Sequence, residues 1–347
     1  MTDKQTDKQV VLSGMRPTGK LHVGHLEGVL REWVDLQKEH DCNFFVADYH
    51  AITTNTNTKD LKQDTFDMVK DWIAFGVDPE KAKIFIQSMV PEHTDLHTIF
   101  SMLVNLGRLE RLPTFNDYMR EIIKVDDKDV KQFNEAKRAK VNYGFLGYPV
   151  LQTADILIYK TNIVPIGEDQ LPHLELTREL AKRFNHLYGE TFPVPEAKLG
   201  HKPRILGTDG RKMSKSYNNV ISPMDDLDTL FAKVRSMVTD TQRGSLKNPG
   251  NPYNCSVFDL HEVYDKVGSE NISSKCRSAN LGCGDCKKML PEKIFEAYKT
   301  FREKRVDITD SYVAEVLKSG CERARVIASA TMKLVKHQML MDYLGGK

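Results

Sequence analysis

The chain has 347 residues, with 50 basic against 48 acidic side chains and a formal net charge of +2; it is 40% hydrophobic and 28% charged. Those figures suit a soluble globular protein of about two domains, and no run of about 18 uncharged apolar residues exists to cross a membrane. Residues 1–9 repeat Thr-Asp-Lys-Gln and lack the apolar core of a secretory signal, so a disordered tail and a cytoplasmic protein are expected. Reduced thiols or metal ligands, not disulfides, are then the expectation for the six cysteines. The small net charge announces no nucleic-acid binder. Such a partner has to meet local basic clusters such as Arg108 and Arg111, or Lys137, Arg138 and Lys140, which read more simply as solvated helix faces.

A β-branched run at 10–13 predicts the first strand, followed by Gly14 and a Pro-Thr-Gly turn. Leu26, Leu30 and Val34 at helical spacing predict a helix from about Gly24 to about His40. Apolar runs at 43–47 and 83–86 predict two more strands, with a helix over about 59–75 between them. This alternation implies a parallel α/β sheet with right-handed crossovers. Each strand ends in small or polar residues (Ser13-Gly14, Asp48, Gln87-Ser88), at the edge where open α/β sheets bind ligands. A helical stretch at about 93–161 reads as an insertion, after which 163–165 returns as a strand and a helix starts near Glu168. Residues 198–217, with three glycines and a basic cluster, read as a mobile loop. The remainder is helical, and its cysteines concentrate between 255 and 286. A domain boundary is placed near 220.

Two short segments carry chemistry. His22-Val23-Gly24-His25 opens the first helix, whose N-terminal N–H groups and dipole favour phosphate. Gly24 admits close approach of a flat base or ribose, and both histidines can donate to phosphate oxygens; alone, the segment fits metal ligation or structural histidines equally well. Lys212-Met213-Ser214-Lys215-Ser216, after the turn Asp209-Gly210, is a natural clamp for a triphosphate, or else a surface basic loop. The two together, about 190 residues apart, resemble the signatures of class I aminoacyl-tRNA synthetases. Nucleotidyltransferases share the first signature but lack the second.

The chain resembles bacterial-type tryptophanyl-tRNA synthetases over nearly its whole length. The carrying segments are residues 13–19, 48–53, 148–159, Gly167-Glu168-Asp169-Gln170 and 209–216. Family members often vary one histidine of the first signature, and some carry glutamine where Arg16 stands. The resemblance implies a Rossmann-like catalytic domain over 1–220, with the insertion at about 93–161, and a helical anticodon-binding domain over 221–347. It implies ATP contacts from Arg16, Pro17, Thr18, Gly24, His25, Gly167, Glu168, Asp169, Ile205, Lys212, Met213, Ser214, Lys215 and Ser216. His22, His25, Lys212 and Lys215 would carry catalysis.

Tyr148, Gln152 and Asp155 follow i, i+4, i+7 spacing, so a helix sets them on one face. That face suits either a polar ligand or plain solvent. The resemblance makes Asp155 the acceptor for the indole N–H and makes Tyr148 and Gln170 the groups that orient the α-amine, with His50 beside them. Tyrosyl enzymes also carry Tyr-x3-Gln-x2-Asp, so Gln152 suits a phenol as well. They usually show Gly-Gly-x-Asp-Gln, however, where this chain has Gly167-Glu168-Asp169-Gln170, and tryptophan is therefore favoured over tyrosine.

The implied activity is adenylate formation from tryptophan and ATP, with Mg²⁺ sharing the phosphate charge, followed by transfer to tRNA(Trp) in a homodimer that meets across the insertion. A non-catalytic tRNA-binding paralogue is the rival, and the intact signatures argue against it. Cys255, Cys276, Cys283 and Cys286 follow Cys-x20-Cys-x6-Cys-x2-Cys, which suits zinc or an iron–sulfur cluster. Zinc ribbons usually pair two Cys-x2-Cys knuckles, and only one is present. Some tryptophanyl synthetases carry a [4Fe–4S] site with the same x6 and x2 gaps but a slightly longer first gap, and that cluster is the expectation, with zinc or four unliganded thiols as alternatives. Cys42 and Cys321 read as small buried residues.

Overall fold

The structure is a computed structural model that describes residues 8–123, 135, 139–199, 205–214 and 217–343. Of the features expected from the sequence, the first residues of the tail, Lys137, Arg138, Lys215 and Ser216 lie outside that set. Five strands, β1 (Val10–Met15), β2 (Asp41–Val46), β3 (Ala82–Ile86), β4 (Ile163–Ile166) and β5 (Glu196–Leu199), form one sheet in the order β3-β2-β1-β4-β5. Every pairing is parallel, as the strand–helix alternation predicts. Register aligns Met15 with Val46 and Val46 with Ile86, so the three strands end level. The chain moves outward from β1 to β3 and returns on the other side of β1 at β4. The crevice between the ends of β1 and β4 is thus the topological switch point of the sheet.

The fifth strand was not legible in the sequence. Glu196-Ala197-Lys198-Leu199 is short and mostly exposed, with no apolar periodicity; it forms because an edge strand needs only the free backbone of β4 to pair with, Ile163 aligning with Glu196. The loop expected from 198 therefore begins inside a strand.

Neighbouring strand residues point to opposite faces, and both faces are buried, as parallel sheets require. Val11, Phe44 and Ile84 face a core built with Leu26, Leu30, Trp33 and Trp72 and continued by Leu260, Leu290, Phe301 and Leu317. That apolar packing runs without a break across residue 220. Leu12, Phe45 and Phe85 face the other core, with Leu96 and Phe100 of helix Glu92–Ser101, Leu157 of helix Tyr143–Ile158 and Phe184 of helix Leu171–Tyr188. The long helix Asp310–Gln338 serves both cores, with Val313 and Leu317 in the first and Cys321, Ala324 and Ala328 in the second. It rides on the free edge of the sheet at β3. Its Gly320 lies against the strand so closely that a Cβ there would stand 1.8 Å from the Ile84 carbonyl oxygen.

Candidate active site

After Met15 the chain turns tightly, Thr18 N donating to Arg16 O at 2.9 Å, and enters the signature helix. Pro17 is buried and Arg16 exposed. The first turn is α-helical over Val23–His25, widens to a π-helix over Leu26–Leu30 and returns to α-helix over Arg31–Leu36. π-Segments of this kind concentrate at functional sites, and the helix ends short of the expected His40. His22 N donates to His25 Nδ1 at 3.3 Å, and the two rings stack with centroids 3.7 Å apart. A Cβ on Gly24 would stand 3.0 Å from the His22 ring and 3.6 Å from Met213 Sδ. The bare glycine is what lets the first signature approach the second.

The second signature is held by a residue that the sequence analysis passed over. Asn219, 1% exposed, accepts from Ser214 N at 2.7 Å and donates to Asp209 Oδ1 at 2.7 Å and to Lys212 O at 3.1 Å. Its own carbonyl accepts from Thr208 N at 3.0 Å. Leu206 bridges Lys212, and Gly210 takes a left-handed φ of 79° to close the turn. Met213 and Ile205 are buried in the same core as Val23, and Lys212 is exposed. Val23 N donates to Ile221 O at 3.0 Å, which bonds the first signature to the segment just beyond the second.

Asp155 is the most enclosed of the expected ligand-binding residues. It is 0% exposed. His50 Nε2 meets its Oδ2 at 2.7 Å and His93 Nδ1 meets its Oδ1 at 2.6 Å; Gln87 Nε2 donates to both oxygens at 2.8 and 2.9 Å. Burial would push this carboxyl up, but hydrogen bonds from His50 and His93 outweigh it and hold the group far below the usual carboxylate range. Tyr148 and Gln152 on the same helix are half-buried, so the polar stripe faces inward and not toward solvent. Gln87 comes from the end of β3, a position the strand-end rule had marked. His93 had no signal in the sequence, being one polar residue in a helical stretch.

A second unforeseen residue, His173, joins two of the expected ones. Its Nδ1 faces Gln170 Oε1 at 3.0 Å, while its Nε2 lies 3.2 Å from the Tyr148 hydroxyl and 2.8 Å from Thr114 Oγ1. An amide oxygen only accepts, so Nδ1 carries the proton and Nε2 accepts from a hydroxyl. Burial pushes this imidazole down to about 4, so it is neutral at ordinary pH. Gly167, Glu168 and Asp169 are exposed at the end of β4, with Gln170 donating to Asp169 at 2.9 Å. Arg16 lies near enough to Tyr148 to act on it electrostatically. Of the two basic clusters, Arg108 is engaged by Glu179 at 2.8 Å.

Away from the sheet edge, Cys255, Cys276, Cys283 and Cys286 line one cavity with Arg243, Phe258, Ile272 and Leu281. Arg243 reaches Cys283 Sγ at 3.6 Å. Burial pushes the Cys286 thiol up to about 12, and the other three sulfurs push in the same direction. Among the described residues no three His, Cys, Asp or Glu side chains converge closely enough to hold a single metal ion. Cys42 and Cys321 are buried elsewhere, as expected.

The first signature, just after β1, is bonded to the segment beyond the second, an arrangement that suits a class I synthetase. The family described as tRNA synthetases class I (W and Y) matches residues 4–299, and the chain belongs to it. Within that family, curated relatives of the chain include tryptophan–tRNA ligases. The chain is 46% identical over 337 residues to the tryptophan–tRNA ligase of Thermotoga maritima, covering 95% of this chain and 98% of the relative. With that of Aquifex aeolicus it shares 39% identity over 391 residues, at 95% and 99% coverage. Among solved structures, the tryptophanyl-tRNA synthetase of Campylobacter jejuni complexed with ADP and tryptophan is similar at a TM-score of 0.78 and 33% identity, covering 95% of this chain and 99% of that one.

Proposed function

We propose that the chain is a tryptophan–tRNA ligase, which joins tryptophan to ATP as tryptophanyl-adenylate and transfers the aminoacyl group to tRNA(Trp). The contact between the two signatures carries this reading, with the near full-length likeness to tryptophan–tRNA ligases behind it. The amino-acid carboxylate attacks the α-phosphorus, pyrophosphate leaves, and a hydroxyl of the terminal ribose of tRNA then displaces AMP. No covalent enzyme intermediate is needed, so catalysis is positioning and electrostatic stabilisation. His22 and His25 would donate to the reacting phosphates and Lys212 and Lys215 would close over them, with Arg16, Pro17, Thr18, Gly24, Ile205, Met213, Ser214 and Ser216 around the nucleotide and Gly167 to Asp169 against the ribose. Tyr148 and Gln170, tied through His173, would orient the α-amine. Asp155 would accept the indole N–H, with His50 and Gln152 in the pocket wall. Mg²⁺ would share the phosphate charge.

Pyrophosphate exchange run against all twenty amino acids tests the reading. Tryptophan-dependent exchange supports it. Exchange driven by tyrosine would move the chain to the tyrosyl branch, and no exchange would leave a tRNA-binding paralogue.

For the four cysteines we infer a [4Fe–4S] cluster as a structural or tRNA-binding element. Four sulfurs around one cavity, with Arg243 facing them as a counter-charge, suit an anionic group. Both zinc and an iron–sulfur cluster accept ligation by four cysteines, and the single Cys-x2-Cys step, where zinc ribbons usually pair two, favours the cluster. Iron, acid-labile sulfide and zinc contents of anaerobically purified protein decide, and stoichiometric zinc without sulfide refutes the cluster. The homodimer would meet across the insertion, where Met102, Leu106 and Tyr143 stand exposed.

A further inference from the structure

We propose that His93 is a positioning residue for amino-acid selection: clamped between Tyr159 and Asp155, it keeps the Asp155 carboxylate ionised and aimed, so that the pocket accepts an N–H and rejects rings without one. The proposal rests on Asp155 being the indole acceptor. Its own basis is geometric. His93 is 0% exposed, and both of its ring nitrogens are committed: Nδ1 to Asp155 Oδ1 at 2.6 Å and Nε2 to the Tyr159 hydroxyl at 2.7 Å. An ionised carboxylate only accepts, so Nδ1 carries the proton toward Asp155, and Nε2 shares the second hydrogen bond with the Tyr159 hydroxyl. Tyr159 is itself buried, at 2% exposed, and burial, followed by the charge of Asp155, raises its hydroxyl well above the usual range, so the hydroxyl keeps its proton. The result is a donor to Asp155 whose ring is held at both nitrogens and anchored in the core.

The three donors on Asp155 differ in kind. His50 lies at the pocket, its ring edge-on to Tyr148 with centroids 6.2 Å apart, and can yield its place to a ligand. Gln87 spreads one amide over both carboxylate oxygens. His93 is the donor whose far end is bonded to another buried side chain, the Tyr159 hydroxyl. An incoming indole N–H needs an ionised acceptor. A fully buried carboxylate whose inner donor is removed takes up a proton more readily, which replaces an acceptor by a competing O–H. The titratable groups that face Asp155 are His50 from helix Asp48–Ile52, His93 and His97 from helix Glu92–Ser101, and Tyr159; Glu92 and Cys321 act on Tyr159 from beyond it. Of these, His93 alone joins Asp155 to Tyr159.

The experiment measures the tryptophan KM and kcat of pyrophosphate exchange from pH 6 to pH 9 in the full-length protein, together with the preference for tryptophan over its benzothiophene analogue, which lacks the ring N–H. His93→Leu fills the space without a donor. It should raise the tryptophan KM about ten- to hundredfold near neutral pH, make that KM fall as pH rises, collapse the preference over the analogue, and leave the KM for ATP unchanged. His93→Asn, whose side-chain N–H₂ replaces Nδ1–H, should restore a flat profile and most of the preference. Tyr159→Phe should shift both readouts in the direction of His93→Leu by a smaller factor, and it carries the test if His93→Leu does not fold. A flat profile with undiminished preference in His93→Leu, or in Tyr159→Phe where that variant stands alone, overturns the proposal, as does His93→Asn behaving no better than His93→Leu. Asp155→Leu, which has no acceptor, separates the two levels: if it leaves tryptophan KM and preference untouched, the reading of Asp155 as acceptor fails first; if it damages both while His93→Leu does not, only the role of His93 fails.

Discussion

Gly320→Ala sets two effects of opposite sign against each other. In a helix interior alanine is favoured over glycine by about 1 kcal/mol, and Gly320 sits midway along helix Asp310–Gln338. Against that, the new methyl would stand 1.8 Å from the Ile84 carbonyl oxygen and 2.7 Å from its carbon. Both atoms are main chain of a strand hydrogen-bonded into the sheet, so no rotamer change relieves the clash. The helix has to lift by roughly 1.5 Å to reach ordinary contact, which loosens Leu317, Cys321 and Ala324 in the two cores. Overpacking of this kind costs about 1–3 kcal/mol, occasionally more, and against rigid main chain it outweighs the helix gain, for a net loss of about 1–2 kcal/mol. Urea unfolding followed by fluorescence of Trp33 and Trp72, both buried beside β2 in the first core, reads the change as a lower midpoint. A functional consequence follows from Cys321, whose Sγ accepts from Ile86 N at 3.4 Å, one residue before Gln87. Lifting the helix should therefore also raise the tryptophan KM. A variant as stable as the parent, or more so, would show that helix propensity wins and that the helix does not bear on β3.

Lys212→Ala should slow adenylate formation by about 10²–10³ with tryptophan affinity nearly intact, because it removes one preorganised donor to the transition state; an effect on tRNA affinity alone would make the loop a tRNA contact. For His173 the folded-state value is depressed to about 4 from an ordinary 6.5. Between those values the unfolded chain binds the proton and the folded one does not, so stability falls as pH drops from about 6.5 to about 4 and levels off below. Unfolding free energy measured against pH should lose this share of its slope in His173→Phe, and an unchanged slope would refute the assignment. Tyr298→Phe removes the hydroxyl that reaches Glu27 Oε1 at 3.0 Å and the Tyr264 hydroxyl at 2.7 Å, a buried link between the signature helix and the helical region after 220. It should cost about 1–3 kcal/mol in unfolding experiments, since a buried carboxylate loses a partner; a midpoint equal to the parent's would mean that Arg31 satisfies Glu27 by itself.

The sequence by itself determined the parts that depend on local pattern. Strand–helix alternation announced a parallel sheet, strand ends marked the edge where such sheets bind ligands, and His22 to His25 with Lys212 to Ser216 carried the resemblance to class I synthetases. It also put Tyr148, Gln152 and Asp155 on one face. It did not show that this face looks inward, since i, i+4, i+7 spacing is the same for a wet stripe and a dry one. Only the tertiary structure brought His93 and Gln87 onto Asp155, His173 between Tyr148 and Gln170, and Asn219 beneath the signature loop. Each of these is a lone polar residue whose neighbours in sequence are irrelevant to its role. A polar side chain acquires its meaning from burial, and burial is fixed by how distant segments pack around the sheet.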